Sequence, residues 1–343
     1  LPAKPQIFRG RTAEVQDLLD SLRQGSSHVA ILGPGGMGKT SLAKAVLHHP
    51  DVVARYAARR VFVSCESATT SIEIAALVAS HFSLKPGRNL TKAVVKRLAE
   101  ESSPGLLILD NLETAWEPAT SRNDVEEMLS LLGDIPDLSL IITMRGTERP
   151  AKLRWSRPFL PPLQPLSATA AQEMFADIAD DNHDASDVQK LLALTDNLPL
   201  AIDLIAHLVD TDTGTCASVL TRWESEKTTF LSQGYDKRSN LDISISTSLS
   251  SPRILSHPAA KDLLRLLSIL PNGLAEDDLL QCNFPIPDIL TCKTILLRTS
   301  LAFVDHTDGK RLNCLVPIRE YMQRFDPVSP RLMKPLRQHF HSL

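Results

Sequence analysis

Short apolar runs alternate with amphipathic stretches in the first half of the chain. Four runs of leucine, isoleucine and valine, each bounded by polar or turn residues, predict buried strands, and helical periodicity lies between them. This alternation predicts a parallel sheet covered by helices. The predicted strands are His28–Leu32, Arg60–Ser64, Leu106–Asp110 and Leu138–Thr143, and the predicted helices are Thr12–Arg23, Lys39–His48, Ser71–Phe82, Thr91–Glu101 and Asp124–Leu132.

The pattern changes after the proline-bearing segment Phe159–Pro165. Helical periodicity dominates from there, and strand signals vanish until near residue 300. Leu301–Val304, a turn at Thr307–Gly309 and Arg311–Val316 then predict a β-hairpin. Helices followed by a small hairpin predict a winged-helix domain. The other segments are predicted helices at Ala170–Ile178, Asp187–Thr195, Ala201–Val209 and Pro258–Leu270, and a polar linker at Leu231–Asn240.

Composition narrows the class of protein. The 343 residues are 43% hydrophobic and 22% charged, which is ordinary for an ordered globular chain of two or three units. The net charge of -3 gives no electrostatic case for nucleic acid or an anionic membrane. No apolar run approaches the roughly 20 residues that cross a bilayer, and no signal segment opens the chain. Five scattered cysteines without a CxxC pair indicate reduced thiols and a cytoplasmic location.

The ends of the sequence indicate a piece of a longer polypeptide. The first residue is Leu1 rather than methionine, and Leu332–Leu343 resembles a helix that is cut short. We therefore expect flanking regions outside this chain.

A glycine-rich segment carries the most specific motif. It satisfies GxxxxGK[ST], and it stands between a predicted strand and a predicted helix. Glycines let successive backbone N–H groups point at one anion, and the helix N-terminus and the Lys39 ammonium add positive charge. The Thr40 hydroxyl suits magnesium. The motif therefore predicts binding of a purine nucleoside di- or triphosphate with Mg²⁺. Its residues are Gly33, Pro34, Gly35, Gly36, Met37, Gly38, Lys39 and Thr40, followed by Ser41.

A second acidic element follows the buried run Leu106–Leu109. Asp110 ends this run in the arrangement of a Walker B strand, where an aspartate holds magnesium, usually through water. Hydrolysis also needs a carboxylate that orients the attacking water, and Asn111 cannot act as a base. Glu113 is the nearest alternative, either as catalytic base or as a solvated loop residue. Slow or absent turnover therefore stays open.

Arg145 follows the next predicted strand. A guanidinium there could bind the γ-phosphate of ATP and find no such partner in ADP. The alternative is a surface arginine in a loop.

These motifs, in this order, resemble the nucleotide-binding core of the STAND NTPases. They look most like the NB-ARC type of plant disease-resistance proteins and animal apoptosis-activating factors. The sequences of the motifs are similar to those of fungal members. Phe8–Arg11 with Glu14 resembles the opening element of that core. Asn197–Ala201 resembles its GLPLA element, and Leu296–Met322 resembles its winged-helix end.

The resemblance implies a three-part switch closed over ADP that opens and self-associates when ATP replaces it. It implies an α/β P-loop NTPase domain of the ASCE type at 1–165, a helical domain at 166–235 and a winged-helix domain at 236–330. Residues 331–343 would begin a truncated helical region, and effector and repeat regions would flank the chain. In this resemblance Phe8, Arg9, Gly10 and Arg11 line the adenine pocket, Pro199 packs on the base and Arg145 senses the γ-phosphate.

Three departures from the family pattern stand out. Asn197 replaces the usual glycine of GLPL, which asparagine tolerates because it also adopts positive φ. Asn111 replaces a second aspartate, whereas Asp110 with Glu113 matches the acidic spacing of the related NACHT class. The Met-His-Asp triplet aligns with Cys314–Val316, so no histidine is available there to contact the β-phosphate.

Two other classes of function compete with the switch. Winged-helix transcription regulators and origin loaders combine the same domain types, but Arg253–Leu343 is only slightly basic, with interleaved carboxylates, which does not favour nucleic acid. A metabolic kinase would need an acceptor-substrate site, and none is visible after the phosphate loop. The sequence thus favours an ADP/ATP switch, with a slow ATPase activity left open.

Overall fold

The computed structural model of the protein describes most of the chain. It covers residues 1–85, 87, 89–100, 103–180, 183–211, 215–226, 241–305 and 310–341. The helices in these ranges are α1 Thr12–Arg23, α2 Lys39–Leu47, α3 Pro50–Tyr56, α4 Ser71–His81, α5 Leu90–Ala99, α6 Glu113–Trp116, α7 Ala119–Gly133, α8 Ala168–Ala179, α9 Ala185–Leu194, α10 Pro199–Thr211, α11 Cys216–Glu226, α12 Leu241–Leu249, α13 Pro252–Ser256, α14 Ala259–Ser268, α15 Glu276–Gln281, α16 Ile289–Arg298, α17 Val316–Phe325 and α18 Pro330–His341. The strands are β1 His28–Gly33, β2 Arg60–Ser64, β3 Gly105–Asp110, β4 Leu138–Arg145, β5 Leu274–Ala275, β6 Phe303–Asp305 and β7 Arg311–Asn313.

A four-stranded parallel sheet forms the first compact unit, which comprises Leu1–Gly33 and Gly38–Gln164. The strand order is β1-β4-β3-β2. Strand β4 lies between β1 and β3, and its register with β1 places Arg145 opposite Gly33. Because carboxyl ends of parallel strands meet at one edge of a sheet, the residues that follow β1, β3 and β4 converge there.

Apolar side chains bury both faces of this sheet. All residues of β3 are buried, as a strand covered by helices on both faces requires. Leu107 and Leu109 belong to a core cluster with residues of α4, α5 and α7, such as Val78 and Leu129. Helices α1, α2 and α3 contact one another, with Leu18 among their fully buried side chains. The predicted parallel sheet covered by helices is confirmed.

The second compact unit comprises Pro34–Met37 and Pro165–Leu343. Helices α8 to α11 contact one another in its first part. In its later part α14, α15 and α16 accompany a three-stranded antiparallel sheet of order β5-β7-β6. This arrangement of helices with a small sheet confirms the predicted helical and winged-helix parts.

Strand β5 was not predicted, because two residues are too few to show an alternating pattern. It forms through tertiary contacts. The Arg311 guanidinium donates to the carbonyl oxygens of Asn272 and Gly273 just before β5. Gly273 has a φ of 66°, and a Cβ there would collide with the Leu312 carbonyl oxygen. A glycine is therefore required where β5 meets β7.

The predicted strand Arg311–Val316 is wrong beyond Asn313. Val316 instead begins helix α17, and Pro317 stands in its first turn. Proline suits a helix start because its fixed φ is helical and the missing N–H would have no partner inside the helix. The predicted linker Leu231–Asn240 and turn Thr307–Gly309 lie outside the described residues, and the division into three domains stays a prediction.

Two further observations concern membrane-spanning helices and the reactivity of the cysteines. Among the described helices, none has the length and apolar character that crossing a bilayer requires. All five cysteines are buried thiols, and burial raises the pKa of Cys314 to about 12. A thiol with such a pKa stays protonated and unreactive at neutral pH.

Candidate nucleotide-binding site

The phosphate loop connects β1 directly to α2. Gly33, Gly36 and Gly38 have φ values of 143°, 77° and 84°, a region that other residues rarely adopt. A Cβ on Gly33 would also lie 3.1 Å from the Leu163 carbonyl oxygen. Gly38 is the N-cap of α2 and offers no side chain to its first N–H groups. The glycines thus produce a tight turn that leaves the start of α2 suited to an anion.

Lys39 is buried next to this turn. Its side chain is 7% exposed, and the ammonium donates to the Gly33 carbonyl oxygen at 2.9 Å. Burial lowers the pKa of Lys39 to about 8, Glu113 and Asp110 act to raise it, and Arg145 acts to lower it. The nearby carboxylates therefore compensate the buried ammonium incompletely. A polyphosphate would supply the missing negative charge, so the residues present fit a nucleotide.

Asp110 lies at the end of β3 and is 1% exposed. Its Oδ1 accepts from the Thr40 hydroxyl at 2.8 Å and from the Thr143 hydroxyl at 2.6 Å. A hydroxyl and a carboxylate side by side are the oxygen ligands that Mg²⁺ prefers. Thr40 and Asp110 therefore fit the predicted metal pair.

Thr143 is a site residue that the sequence reasoning missed. It is fully buried near the end of β4, where its hydroxyl donates to Asp110 and accepts from the Asn111 N–H at 3.0 Å. One side chain thereby fixes both the acidic residue and the turn that follows it. Thr143 is one of two hydroxyl residues, with Ser139, inside the apolar run Leu138–Met144, and this was the only signal in the sequence.

Glu113 and Arg145 face each other across this edge of the sheet. Arg145 Nε lies 3.4 Å from Glu113 Oε1, and their side chains are 23% and 11% exposed. Glu113 begins the short helix α6. Two residues before it, Asn111 adopts a positive φ of 59°, which turns the chain at the end of β3. Because it is buried, the alternative of a solvated loop residue is wrong. The structure therefore pairs the two candidate residues with each other.

The second oxygen of Glu113 has a different environment. Glu113 Oε2 is buried and accepts no hydrogen bond from the described residues. A buried carboxylate oxygen without a donor is costly, by roughly 1–3 kcal/mol or more. A water molecule or a ligand hydroxyl would satisfy it.

The N-terminal segment contains one buried residue, Arg11. Arg11 is 5% exposed, and its guanidinium donates to Glu14 at 2.8 Å and to the Gln164 carbonyl oxygen at 2.7 Å. These contacts give Arg11 an anchoring role within the first unit. Phe8 is half-buried, whereas Arg9 and Gly10 are exposed.

Pro199 begins α10, and the residue after it contacts the phosphate loop. The Leu200 N–H donates to the Gly36 carbonyl oxygen at 3.1 Å. A Cβ on Gly36 would lie only 3.0 Å from Leu200 Cβ. The centre of the phosphate loop thus packs against the first turn of α10, within the second compact unit.

Fold and site together define the class of protein. A parallel sheet whose first strand leads through a glycine loop into a helix, with a buried aspartate on a neighbouring strand, is a P-loop NTPase. The family "Novel STAND NTPase 1" matches residues 2–202. The chain belongs to this family of STAND NTPases, which implies a nucleotide ligand together with magnesium.

Solved structures share the fold over nearly the whole chain. A Walker-type ATPase of Pyrococcus abyssi is 14% identical, with a TM-score of 0.61 over 94% of this chain and 98% of its own. The Aeropyrum pernix ORC2 protein, solved in ADPNP and ADP complexes, is 14% identical, with a TM-score of 0.50 over 99% and 97%. Drosophila ORC, solved bound to DNA, is 13% identical, with a TM-score of 0.51 over 94% and 89%. Identities this low establish the fold alone. No curated protein sequence matches the chain.

Proposed function

We propose that this chain is a nucleotide-controlled signalling switch of the NB-ARC type. ADP would hold a closed form, and exchange for ATP would favour an open form that self-associates. Membership of the STAND NTPase family and the geometry of the phosphate loop support this proposal. A ligand shifts two conformations only by its difference in affinity for them, about 1.4 kcal/mol for each tenfold. The chain therefore needs a group that distinguishes ATP from ADP.

In this proposal, different backbone and side-chain groups bind different parts of the nucleotide. N–H groups of the phosphate loop and the Lys39 ammonium would bind the β- and γ-phosphates. Thr40 and Asp110 would hold Mg²⁺, Asp110 through water. Bound magnesium neutralises phosphate charge. Phe8 and Pro199 would contact the adenine.

The observation that carries the proposal is the pair formed by Arg145 and Glu113. Strand register fixes Arg145 opposite the first glycine of the phosphate loop, and its guanidinium lies 3.4 Å from a carboxylate. A γ-phosphate would compete for that guanidinium, because a charge-assisted contact with phosphate is at least as strong. ADP lacks this group and would leave the pair intact.

Release of the pair would also free the candidate base. Glu113 Oε2 already lacks a donor among the described residues, so an attacking water would complete its hydrogen bonding. We infer that hydrolysis requires release of the pair, because Arg145 otherwise holds the carboxylate that would act as the base.

The variant Arg145→Ala tests the sensor role. We expect it to weaken ATP binding about tenfold or more and to leave ADP binding nearly unchanged, since a hydrogen bond to a charged group contributes roughly 1.5–3 kcal/mol. Calorimetric titration with ATP and with ADP gives both affinities. Each titration is run first in EDTA, which prevents magnesium-dependent hydrolysis, and then in magnesium.

Arg149→Ala is the matched control. Arg149 follows the same strand, but its guanidinium donates to the Leu160 carbonyl oxygen and lies over the Phe159 ring. This variant should bind both nucleotides like the parent chain. Equal losses for ATP and ADP in Arg145→Ala would make that arginine structural and refute the sensor. Mass spectrometry of nucleotide released from the denatured parent protein would show whether ADP occupies the resting form.

A DNA-binding regulator or loader is the second candidate, because Drosophila ORC with a similar fold was solved bound to DNA. Direct measurement of DNA binding at two salt concentrations separates this candidate from the switch.

A further inference from the structure

Helix α17 begins without a cap of its own. Its N-cap residue is Leu315, whose side chain cannot accept a hydrogen bond from the first turn. The first backbone N–H of the helix, on Val316, is nevertheless bonded. It donates to Oδ2 of Asp196, which lies far away in the sequence between α9 and α10. The cap of this winged-helix element is thus supplied by the helical part of the second unit.

The backbone around Asp196 directs its carboxylate. Asp196 and Asn197 have consecutive positive φ values of 49° and 53°, which asparagine and aspartate adopt more readily than other side chains. The turn is fixed on both sides, because Thr195 donates to the Leu192 carbonyl oxygen at 2.8 Å and Leu166 N–H donates to Asn197. A turn held this firmly presents the carboxylate in one direction.

The electrostatic setting limits the stability of the contact. Burial raises the pKa of Asp196, while the Val316 N–H and the Arg319 guanidinium oppose the rise. A net increase means that the ionised carboxylate is less well stabilised in the contact than in water. Release of the contact would therefore recover solvation of the carboxylate.

The same turn reaches the phosphate loop at its other end. Leu200 N–H donates to the Gly36 carbonyl oxygen, four residues beyond Asp196. Leu198, between the two, lines a small cavity that it shares with Leu315 of the α17 start and Gly35 of the phosphate loop. One short segment, 195–200, thus contacts the phosphate loop and the winged-helix part.

We propose that Asp196 is a positioning residue that latches the start of α17 to the turn beside the phosphate loop. This inference rests on the proposed switch, because a latch acts only if nucleotide occupies the loop. A change at Gly36 would move Leu200, and the fixed turn would carry that movement to Asp196 and to α17. Loss of the latch would let the winged-helix part open without exchange of ADP.

Two variants separate a latch from a simple helix cap. Asp196→Ala removes both functions. The double variant Asp196→Ala with Leu315→Ser restores a cap inside α17, since serine is a favoured N-cap, but does not restore the link to the turn. Release of a fluorescent ADP analogue and thermal unfolding are measured for both. We expect about tenfold faster ADP release in both variants. Tm should fall in the single variant and fall further in the double variant, because Leu315 is 6% exposed and its replacement by serine loses apolar burial.

Asp184→Ala is the matched control. Asp184 is the N-cap of α9 and accepts from the N–H groups of Ser186 and Asp187 within its own helix. Its removal should lower Tm by a similar amount and leave ADP release unchanged. Restoration of slow release in the double variant would show that capping alone matters and would overturn the latch. Failure of the parent chain to bind ADP at all would instead overturn the proposed switch, and the latch with it.

Discussion

Lys39 shows how burial sets the chemistry of one residue. Its pKa is lowered to about 8 because burial outweighs the neighbouring carboxylates. A bound polyphosphate would raise this pKa again. Below pH 8 the ammonium is protonated with or without ligand, so ADP affinity should not vary there. Above pH 8 only the bound form stays protonated, and affinity should fall by up to about tenfold per pH unit with uptake of one proton.

Calorimetry in two buffers of different ionisation enthalpy, at pH 7 and at about pH 9, measures both the affinity and the proton uptake that this shift in pKa requires. Lys44→Ala, on the same helix, is the control and should keep the full pH dependence. An affinity that stays constant to pH 9 would contradict the assigned role of Lys39. Lys39→Ala itself should abolish binding.

The role of Glu113 likewise depends on a single atom, the carboxylate oxygen Oε2. Glu113→Gln keeps the shape but cannot accept a proton. We expect ATP turnover to fall about 100-fold or more, because a general base contributes 10²–10⁴-fold. ATP affinity should not fall, because the neutral amide competes less than the carboxylate with the γ-phosphate for Arg145. Single-turnover hydrolysis and equilibrium binding check the two parts separately. Glu117→Gln, at the end of α6, is the control. Unchanged turnover in Glu113→Gln would remove this residue from the mechanism.

Among the elements, the connection from β1 to α2 depends most on glycine. Gly36→Ala would strain a positive φ and force the new methyl group to within 3.0 Å of Leu200 Cβ. Gly38→Ala is a matched control, because its φ is equally positive but a Cβ there meets nothing within 4 Å. We expect about 1–2 kcal/mol of destabilisation from strain in the control, and roughly 1–3 kcal/mol more in Gly36→Ala.

Denaturant unfolding of the nucleotide-free chain measures this difference. If both glycine variants lose the same free energy of unfolding, the contact between the phosphate loop and α10 contributes nothing to stability.

The elements also show what the sequence could and could not predict. Strand β2 was predicted to the residue, because a short run of β-branched and aromatic residues between polar ends carries a strong local signal. Strand β5 and the start of α17 were missed or misplaced, since both depend on contacts with distant segments. The site divides in the same way. The glycine loop, Asp110 and Arg145 follow from spacing, whereas the hydroxyl of Thr143 reaches Asp110 only through the pairing of β3 with β4.

For the whole molecule, the decisive question is whether the winged-helix part binds DNA. Helix α16 stands where a recognition helix would, yet it carries only two basic residues, Lys293 and Arg298, and Lys293 is paired with Glu276. We therefore expect no saturable DNA binding. Filter binding at about 50 and 200 mM salt tests this, because phosphate contacts weaken steeply with salt.

Binding that loses affinity by a factor of about 10³ or more between these salt concentrations would support the loader instead. The variant Lys293→Ala would then show whether α16 is the contact.

The register that sets Arg145 beside Gly33 also bears on timing. Hydrogen bonds between adjacent strands tie the two backbones together, so the arginine can respond to a third phosphate only by rotating its side chain. Rotations of this kind take picoseconds to nanoseconds, about a thousand times faster, at least, than movements of whole domains. Arg145 would thus contact the γ-phosphate long before the domains rearrange. An ATP molecule that dissociates within that interval would not change the conformation of the protein.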